Sequence, residues 1–546
     1  MPSTSDTTIE TAPTDADRLV ALAQGALARG KPDVAGSAAE AAIKLDPQRS
    51  DAWLVLCEAL SKVATPADVA KARTMAITHL TEADPVRAVF EAERALGLVR
   101  ATRWAEAAEA AALAASRSGL QPPAHRVLSA AYAEMGRHED ALRHAELAAA
   151  GLPQDALVQH ALADTLRVLG RLEDAQAAYG RTLALDPDDA LAHAALARLR
   201  SWTAGDNHLE AMSAALSRAV PGTPDATELG YALAKELDDI GRPAEAWSAM
   251  TAGASAARAR SSYDAALEAA RVDALIASFP RSRVEAATLH RPDGPRPIFI
   301  FGLPRSGTTL VERILSAHST VTALGETLAL PEAVKNAART PGFAVFDIPT
   351  IRAAATANRA ETARLYQRHV AHLAGDASVV IDKLPDNYEY AGAIRLAFPE
   401  APMVHVRRAP MDSLFGAYRL PFAQGAYPWS YRLEDLAAHY RQYRRLTDHW
   451  RQVLGRGFVE VSLERLIQDP LVETGFLLAA CGLAFEEACL APELATGPVA
   501  TESAAQVRAP INSQGVGAWR RYAAQLEPLR AELQRDGFVD ANGDPV

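Results

Sequence analysis

Residues 298–315 read IFIFGLPRSGTTLVERIL. Four apolar residues run into a segment bounded by Gly302 and Gly307, and Leu310, Ile314 and Leu315 follow at helical spacing. The pattern predicts a buried strand, a tight loop and an amphipathic helix. Backbone N–H groups of such a loop, together with the positive end of the helix, form a cradle for a phosphate-like anion. The spacing nearly reproduces the nucleotide-binding pattern G-x-x-x-x-G-K-[ST]. Thr308 stands where that pattern needs its lysine.

Two further apolar runs, SVVID at 378–382 and PMVHVRR at 402–408, read as strands separated by helical stretches. The expectation is a parallel α/β sheet with its loops at the carboxyl ends of the strands, where open sheets bind ligands. Nucleoside triphosphate hydrolysis fits poorly. Its lysine is missing, and Asp382 is followed by Lys383 rather than set in an acidic metal-binding strand. A nucleotide kinase or triphosphatase therefore stands as a minor alternative.

The chain before this point is repetitive. MGRHEDALRHAELAAAGLPQDA, from residue 135, returns as LGRLEDAQAAYGRTLALDPDDA, from residue 169. Gly136, Ala141 and Pro153 map onto Gly170, Ala175 and Pro187, each 34 residues on. Gly30 to Pro47 carries the same internal step, and GRPAEAW restarts at Gly241. That period is the length of a tetratricopeptide repeat, a helix pair that buries its apolar face only by stacking on neighbours. The reading gives residues 1–14 as disordered, 15–283 as a helical repeat superhelix, 284–297 as a linker and 298–546 as the α/β domain. Ser50 to Pro85 fits the repeat least well, and residues 201–224 interrupt it. The linker, HRPDGPRP at 290–297, predicts that the two parts fold separately.

Composition sets outer limits. The 546 residues are 49% hydrophobic and 23% charged, as in ordinary globular proteins. A formal net charge of −11 argues against nucleic-acid binding and leaves any basic site local. Cys57, Cys481 and Cys489 lack metal-like spacing and read as reduced thiols, so no metal is expected. Without a leader-like segment or an apolar run of membrane length, the expectation is a cytoplasmic protein.

In order, PRSGTTL, Gly325-Glu326, DKLP at 382–385 and RRAPMDS at 407–413 resemble the sulfotransferase family. The likeness is to bacterial tetratricopeptide-repeat sulfotransferases and, more distantly, to tyrosylprotein sulfotransferases. The resemblance implies transfer of a sulfuryl group from 3′-phosphoadenosine 5′-phosphosulfate (PAPS) to an acceptor hydroxyl, on a peptide tyrosine, a phenol or a sugar. It implies Glu326, 21 residues after Arg305, as the base. Arg305, Lys383 and Ser503 would stabilise the transition state, and Ser306, Gly307, Thr308 and Thr309 would hold the 5′-phosphosulfate. Arg408 would meet the 3′-phosphate. SAAQVRAPIN at 503–512 resembles the loop that closes over the donor, placing Gln506, Val507, Arg508 and Asn512 along the nucleotide. For Glu326 a helix cap is the competing reading, and for 503–512 an ordinary surface loop.

Three positions depart from the family pattern. Gly416 replaces a serine that shares the 3′-phosphate, Leu463 a tyrosine near the nucleotide, and Ala518 a basic residue beside Trp519. They motivate an alternative, a catalytically weak relative that serves as a scaffold and binds protein partners through its repeats. Segments 327–350 and 415–432 are expected to line the acceptor pocket. The acceptor, the repeat arm's partner and the oligomeric state are not legible.

Overall fold

The computed structural model describes residues 13–100, 103–286, 292–341, 346–422, 426–495, 506–508 and 510–546. Nearly all of the expected disordered N-terminus, and residues 287–291 of the expected linker, thus fall outside the described residues. By packing, the chain forms two compact units, residues 1–165 and 166–546.

Helix pairs fill the first unit: Asp15–Ala28 with Pro32–Leu45, Ser50–Val63 with Pro66–His79, Pro85–Arg100 with Trp104–Ala115, and Pro122–Glu134 with His138–Gly151. The stretch from Ser50 to Pro85 is therefore a regular pair despite its weaker sequence signal. The turns show why glycine recurs. Gly30 and Gly136 adopt φ of 68° and 73°, and Lys31 and Arg137 donate back to Ala26 O and Tyr132 O at 3.0 and 2.8 Å. This left-handed cap satisfies carbonyls at the helix end and suits a residue without a Cβ. Alanines Ala35, Ala39, Ala107 and Ala141 are fully buried, which lets paired helices approach closely.

In the second unit Gly170 and Gly241 repeat the same turn, with φ of 80° and 76°. Its helices from Ala190–Arg198 to Arg281–Glu285 share one core with the sheet that follows. Phe279 packs against Gly392, where a Cβ would meet the phenyl ring Cδ1 at 2.6 Å, and His449 Nε2 lies 3.0 Å from Phe279 O. Polar contacts reinforce the packing. Asp238 accepts from Arg419 Nη2 at 2.8 Å, Arg521 Nη1 at 2.6 Å and Tyr522 Oη at 2.7 Å.

The sheet is five-stranded and all parallel, ordered β2-β3-β1-β4-β5, with β1 Arg296–Phe301, β2 Val321–Ala323, β3 Val379–Lys383, β4 Met403–Arg407 and β5 Phe458–Ser462. Ile298, Ile300, Ile381, Val404 and Val461 form one apolar face under the helices Thr308–Ser316 and Pro470–Ala480. Phe299, Phe301, Val380 and Met403 form the other. Strands buried on both faces read as continuous apolar runs, as 298–301 and 379–381 do. Among the described residues, no helix is long and apolar enough to cross a membrane.

Candidate active site

The loop after β1 is fixed from below. Gly302 N donates to Pro385 O at 3.3 Å, and a Cβ on Gly302 would collide with Val406 O. Ser306 N donates to Leu303 O at 3.0 Å, while Arg305 and Gly307 adopt φ of 68° and 102°. Gly307 is the N-cap of the helix Thr308–Ser316, and its φ strains any residue with a Cβ, which would also crowd Leu463 Cδ1 at 2.8 Å. The first N–H groups of that helix lack intrahelical partners and carry its positive end. Ser306 is 1% exposed, and its hydroxyl has no hydrogen-bond partner among the described residues. A glycine-tight cradle lined by an orphaned hydroxyl fits a bound phosphate-like anion.

Lys383 ends β3 opposite Ile300 of β1, so the sheet register sets it beside this loop. Lys383 N donates to Gly325 O at 3.1 Å, and Leu324 N to Ile381 O at 2.8 Å. These bonds place Glu326 next to the strand, and the Lys383 ammonium donates to Glu326 Oε1. Lys383 is fully buried, whereas the Glu326 side chain keeps 40% exposure. A carboxylate held by a buried cation and open on its other side can accept a proton from a docked hydroxyl. Glu326 lies before Leu328, the N-cap of Ala329–Ala338, and its carboxylate is turned to Lys383.

Asp382 supports this arrangement. It is fully buried and accepts from Asn387 Nδ2 at 2.9 Å and Thr327 Oγ1 at 3.3 Å, so it pins both flanking segments to β3. Burial pushes its carboxyl up to about 7. Burial likewise pushes Asp386 up to about 8, with the charge of Glu389 adding to it.

Arg408 closes the other side. Its Nη1 donates to Arg305 O at 2.8 Å and its Nη2 to Gly515 O. Burial holds the guanidinium below its ordinary range. Asp412 Oδ2 accepts from Gly517 N at 2.7 Å, which fastens the GAWRRY segment beside Arg408. Gly416 faces the same spot, since its Cβ would sit 3.0 Å from Arg305 Cβ and 4.0 Å from Arg408 Nη1.

The structure thus brings together Arg305, Ser306, Gly307, Thr308, Thr309, Glu326, Lys383 and Arg408. Ser503 lies outside the described residues, and Gln506 is described by its backbone alone. Val507 is buried. Arg508 is placed elsewhere, with its Nη2 donating to Val168 O at 2.8 Å and its guanidinium filling the space above Gly170. Asn512 is exposed and closes a local turn, its Oδ1 accepting from Gln514 N at 3.1 Å. Among the described residues no group of three or more His, Cys, Asp or Glu could hold a metal. Glu312 was missed by sequence reading. It is buried 3.7 Å from the Lys383 ammonium, on a helix whose Thr308, Thr309 and Arg313 are buried as well, so its spacing alone did not single it out.

Two regions of the chain match known families. Residues 297–487 match the sulfotransferase family, and residues 132–199 match the tetratricopeptide repeat. A curated but uncharacterized protein of Aquifex aeolicus (strain VF5) is 28% identical over 392 residues, 69% of this chain and 50% of that protein. The chain therefore spans about half the length of the curated relative it matches. Among solved structures, the sulfotransferase domain of the Synechococcus PCC 7002 olefin synthase is 20% identical and covers 43% of this chain and 98% of that one, with a TM-score of 0.25. The sulfotransferase domain from the curacin biosynthetic pathway is 15% identical, covering 43% and 99%, with a TM-score of 0.26. A thermophilic tetratricopeptide-repeat protein of Thermus thermophilus is 20% identical, covering 34% and 98%, with a TM-score of 0.29.

Proposed function

From the premise that this chain carries a sulfotransferase-family domain behind tetratricopeptide repeats, we propose that it transfers a sulfuryl group from PAPS to an acceptor hydroxyl. The observation that carries the reading is the half-exposed Glu326 carboxylate held on the buried Lys383 ammonium beside a glycine-tight anion loop.

In this reading the N–H groups of Ser306–Thr309, with Arg305, hold the 5′-phosphosulfate, and Arg408 meets the 3′-phosphate. Glu326 removes the acceptor O–H proton as the acceptor oxygen bonds to sulfur. The bond from sulfur to the bridging phosphate oxygen breaks, and 3′,5′-ADP leaves with that electron pair. Lys383 and Arg305 stabilise the charge growing on the leaving oxygen, help worth ~3–4 kcal/mol per well-placed group. Ser503 takes the same role if the closing segment brings it to that oxygen. The donor supplies the activated sulfuryl group, and the chain's own residues bind, orient and move one proton.

The direct test is transfer of label from ³⁵S-PAPS to a panel of peptide tyrosines, phenols and sugars, with calorimetry of 3′,5′-ADP. Saturable 3′,5′-ADP binding with label on one acceptor class supports the reading. Binding without transfer to any acceptor favours a weak, scaffold-like relative, and absence of both refutes a PAPS site.

A further inference from the structure

Helix Thr308–Ser316 starts at the anion loop and presents Val311, Ile314 and Leu315 to one core of the sheet. Glu312 breaks that apolar context. It is 6% exposed, its Oε2 lies 3.7 Å from the Lys383 ammonium, and its Oε1 is buried without a hydrogen-bond partner among the described residues. A carboxyl left half-satisfied in a core is a cost to folding, and a buried ion pair is often replaceable by apolar residues without loss. Stability therefore does not account for a glutamate here.

Its position does. Lys383 carries three N–H donors on a flexible stem and is enclosed on all sides. Glu326, itself 40% exposed, takes one donor, and Glu312 faces the same ammonium from the helix. Glu312 and Thr308 are one turn apart, so the residue that anchors Lys383 rides on the helix whose first turn forms the loop. The charges bearing on Glu312 besides Lys383 are Glu326, which raises its carboxyl further, Arg313 on its own helix and Asp382 on β3. Burial raises its carboxyl, and Lys383 opposes that rise.

Resting on the sulfotransferase reading, we propose that Glu312 is a positioning residue that sets the Lys383 ammonium between the Glu326 carboxylate and the transferring group. It touches neither donor nor acceptor. Its effect is therefore confined to the chemical step.

The test compares Glu312→Gln, which keeps an acceptor oxygen for the ammonium, with Glu312→Met, which keeps the length and removes both oxygens. Expected losses in kcat are about tenfold for the Gln variant and about a hundredfold for the Met variant. Acceptor KM and 3′,5′-ADP Kd should stay within about twofold. In a Lys383→Met background neither change should lower the rate further, because the residue acts only through that lysine. Wild-type kcat in Glu312→Gln, or a further loss in the Lys383→Met background, overturns the proposal, and Glu312→Gln decides it even if the Met variant does not fold. A wild-type chain that neither binds 3′,5′-ADP nor transfers label overturns the sulfotransferase reading and this proposal with it.

Discussion

Gly416→Ser asks whether this chain has lost one contact to its donor. A Cβ at 416 would sit 3.0 Å from Arg305 Cβ and 3.6 Å from Arg305 Cγ, with Arg408 Nη1 at 4.0 Å. The hydroxyl is thereby delivered beside the arginine assigned to the 3′-phosphate. A well-formed hydrogen bond to a charged group contributes roughly 1.5–3 kcal/mol, which is about 10- to 150-fold in affinity. Against it stands the contact with Arg305 Cβ. That atom is fixed by a backbone already in the left-handed region, at φ 68°, and cannot yield as a side-chain tip would.

The two effects separate by ligand. Crowding of Arg305 is present whether or not nucleotide is bound, and any shift of the loop affects every ligand with a 5′-phosphate alike. The hydrogen bond acts only where a 3′-phosphate is present. The ratio of 5′-AMP to 3′,5′-ADP dissociation constants, from calorimetry at fixed salt, is thus expected to rise about 10- to 150-fold in Gly416→Ser. Thermal stability should change little, since serine in the helix Pro410–Tyr418 recovers about 0.5 kcal/mol of the propensity that glycine forfeits. A ratio unchanged within twofold, in a folded variant, refutes the pairing of Gly416 with the 3′-phosphate and the register from Arg408 that supports it.

Glu326→Gln should lower turnover by about 10²–10⁴-fold while leaving 3′,5′-ADP binding intact; unchanged turnover would remove Glu326 as the base. Asp238→Ala strands Arg419, Arg521 and Tyr522 and should cost about 2–3 kcal/mol in denaturant unfolding, discounted because both guanidiniums are partly exposed. If the midpoint does not move, these contacts do not tie the helices of residues 166–285 to the sheet. His144 is buried with its Nδ1 2.8 Å from His125 Nδ1, and burial, then His125, pushes it down to about 4. The folded value lies below the unfolded one, so this stability is complete above pH ~6.5 and is lost as pH falls toward 4, by up to about 2 kcal/mol at pH 5. His144→Gln should flatten that slope in unfolding measurements from pH 7 to 5, and an equal slope in both proteins places the titration elsewhere.

Much of this was legible because local chemistry dictated it. The 34-residue period follows from a turn that needs a left-handed residue, and Gly136 and Gly170 supply it at φ of 73° and 80°. β1, β3 and β4 were legible as apolar runs because both faces of the sheet are covered. β2, three residues long, and β5, whose Val459 and Val461 alternate with Glu460, carry no such run. Arg305, Glu326 and Lys383 stood out through motif spacing, but the contacts that hold their segments in place did not. Asp412, which fastens Gly517, and Asp382, which pins Thr327, act across more than 50 residues of chain. Only the tertiary fold brings such pairs together.

The helical half poses the harder case, because a repeat pattern says nothing about where repetition gives way to a private interface. The prolines and Gly294 at 290–297 look like a boundary, and composition alone cannot weigh them against packing. Phe279, Val284 and Leu275 are buried in the core that also contains Phe299, Tyr388 and Trp450. Arg258 holds Asp435 at 2.9 Å, Arg445 holds Asp273 at 2.7 Å, and His439 Nδ1 meets Glu268 Oε1 at 2.6 Å. A fragment beginning at residue 290 would expose the sheet-side half of all these contacts at once. One beginning at residue 166 retains them. We therefore expect residues 166–546 to unfold cooperatively and bind 3′,5′-ADP, and residues 290–546 to aggregate or melt without a sharp transition. Equal, cooperative folding of both fragments, by calorimetry and circular dichroism, would show that the helices 166–285 only rest on the catalytic domain and do not help build it.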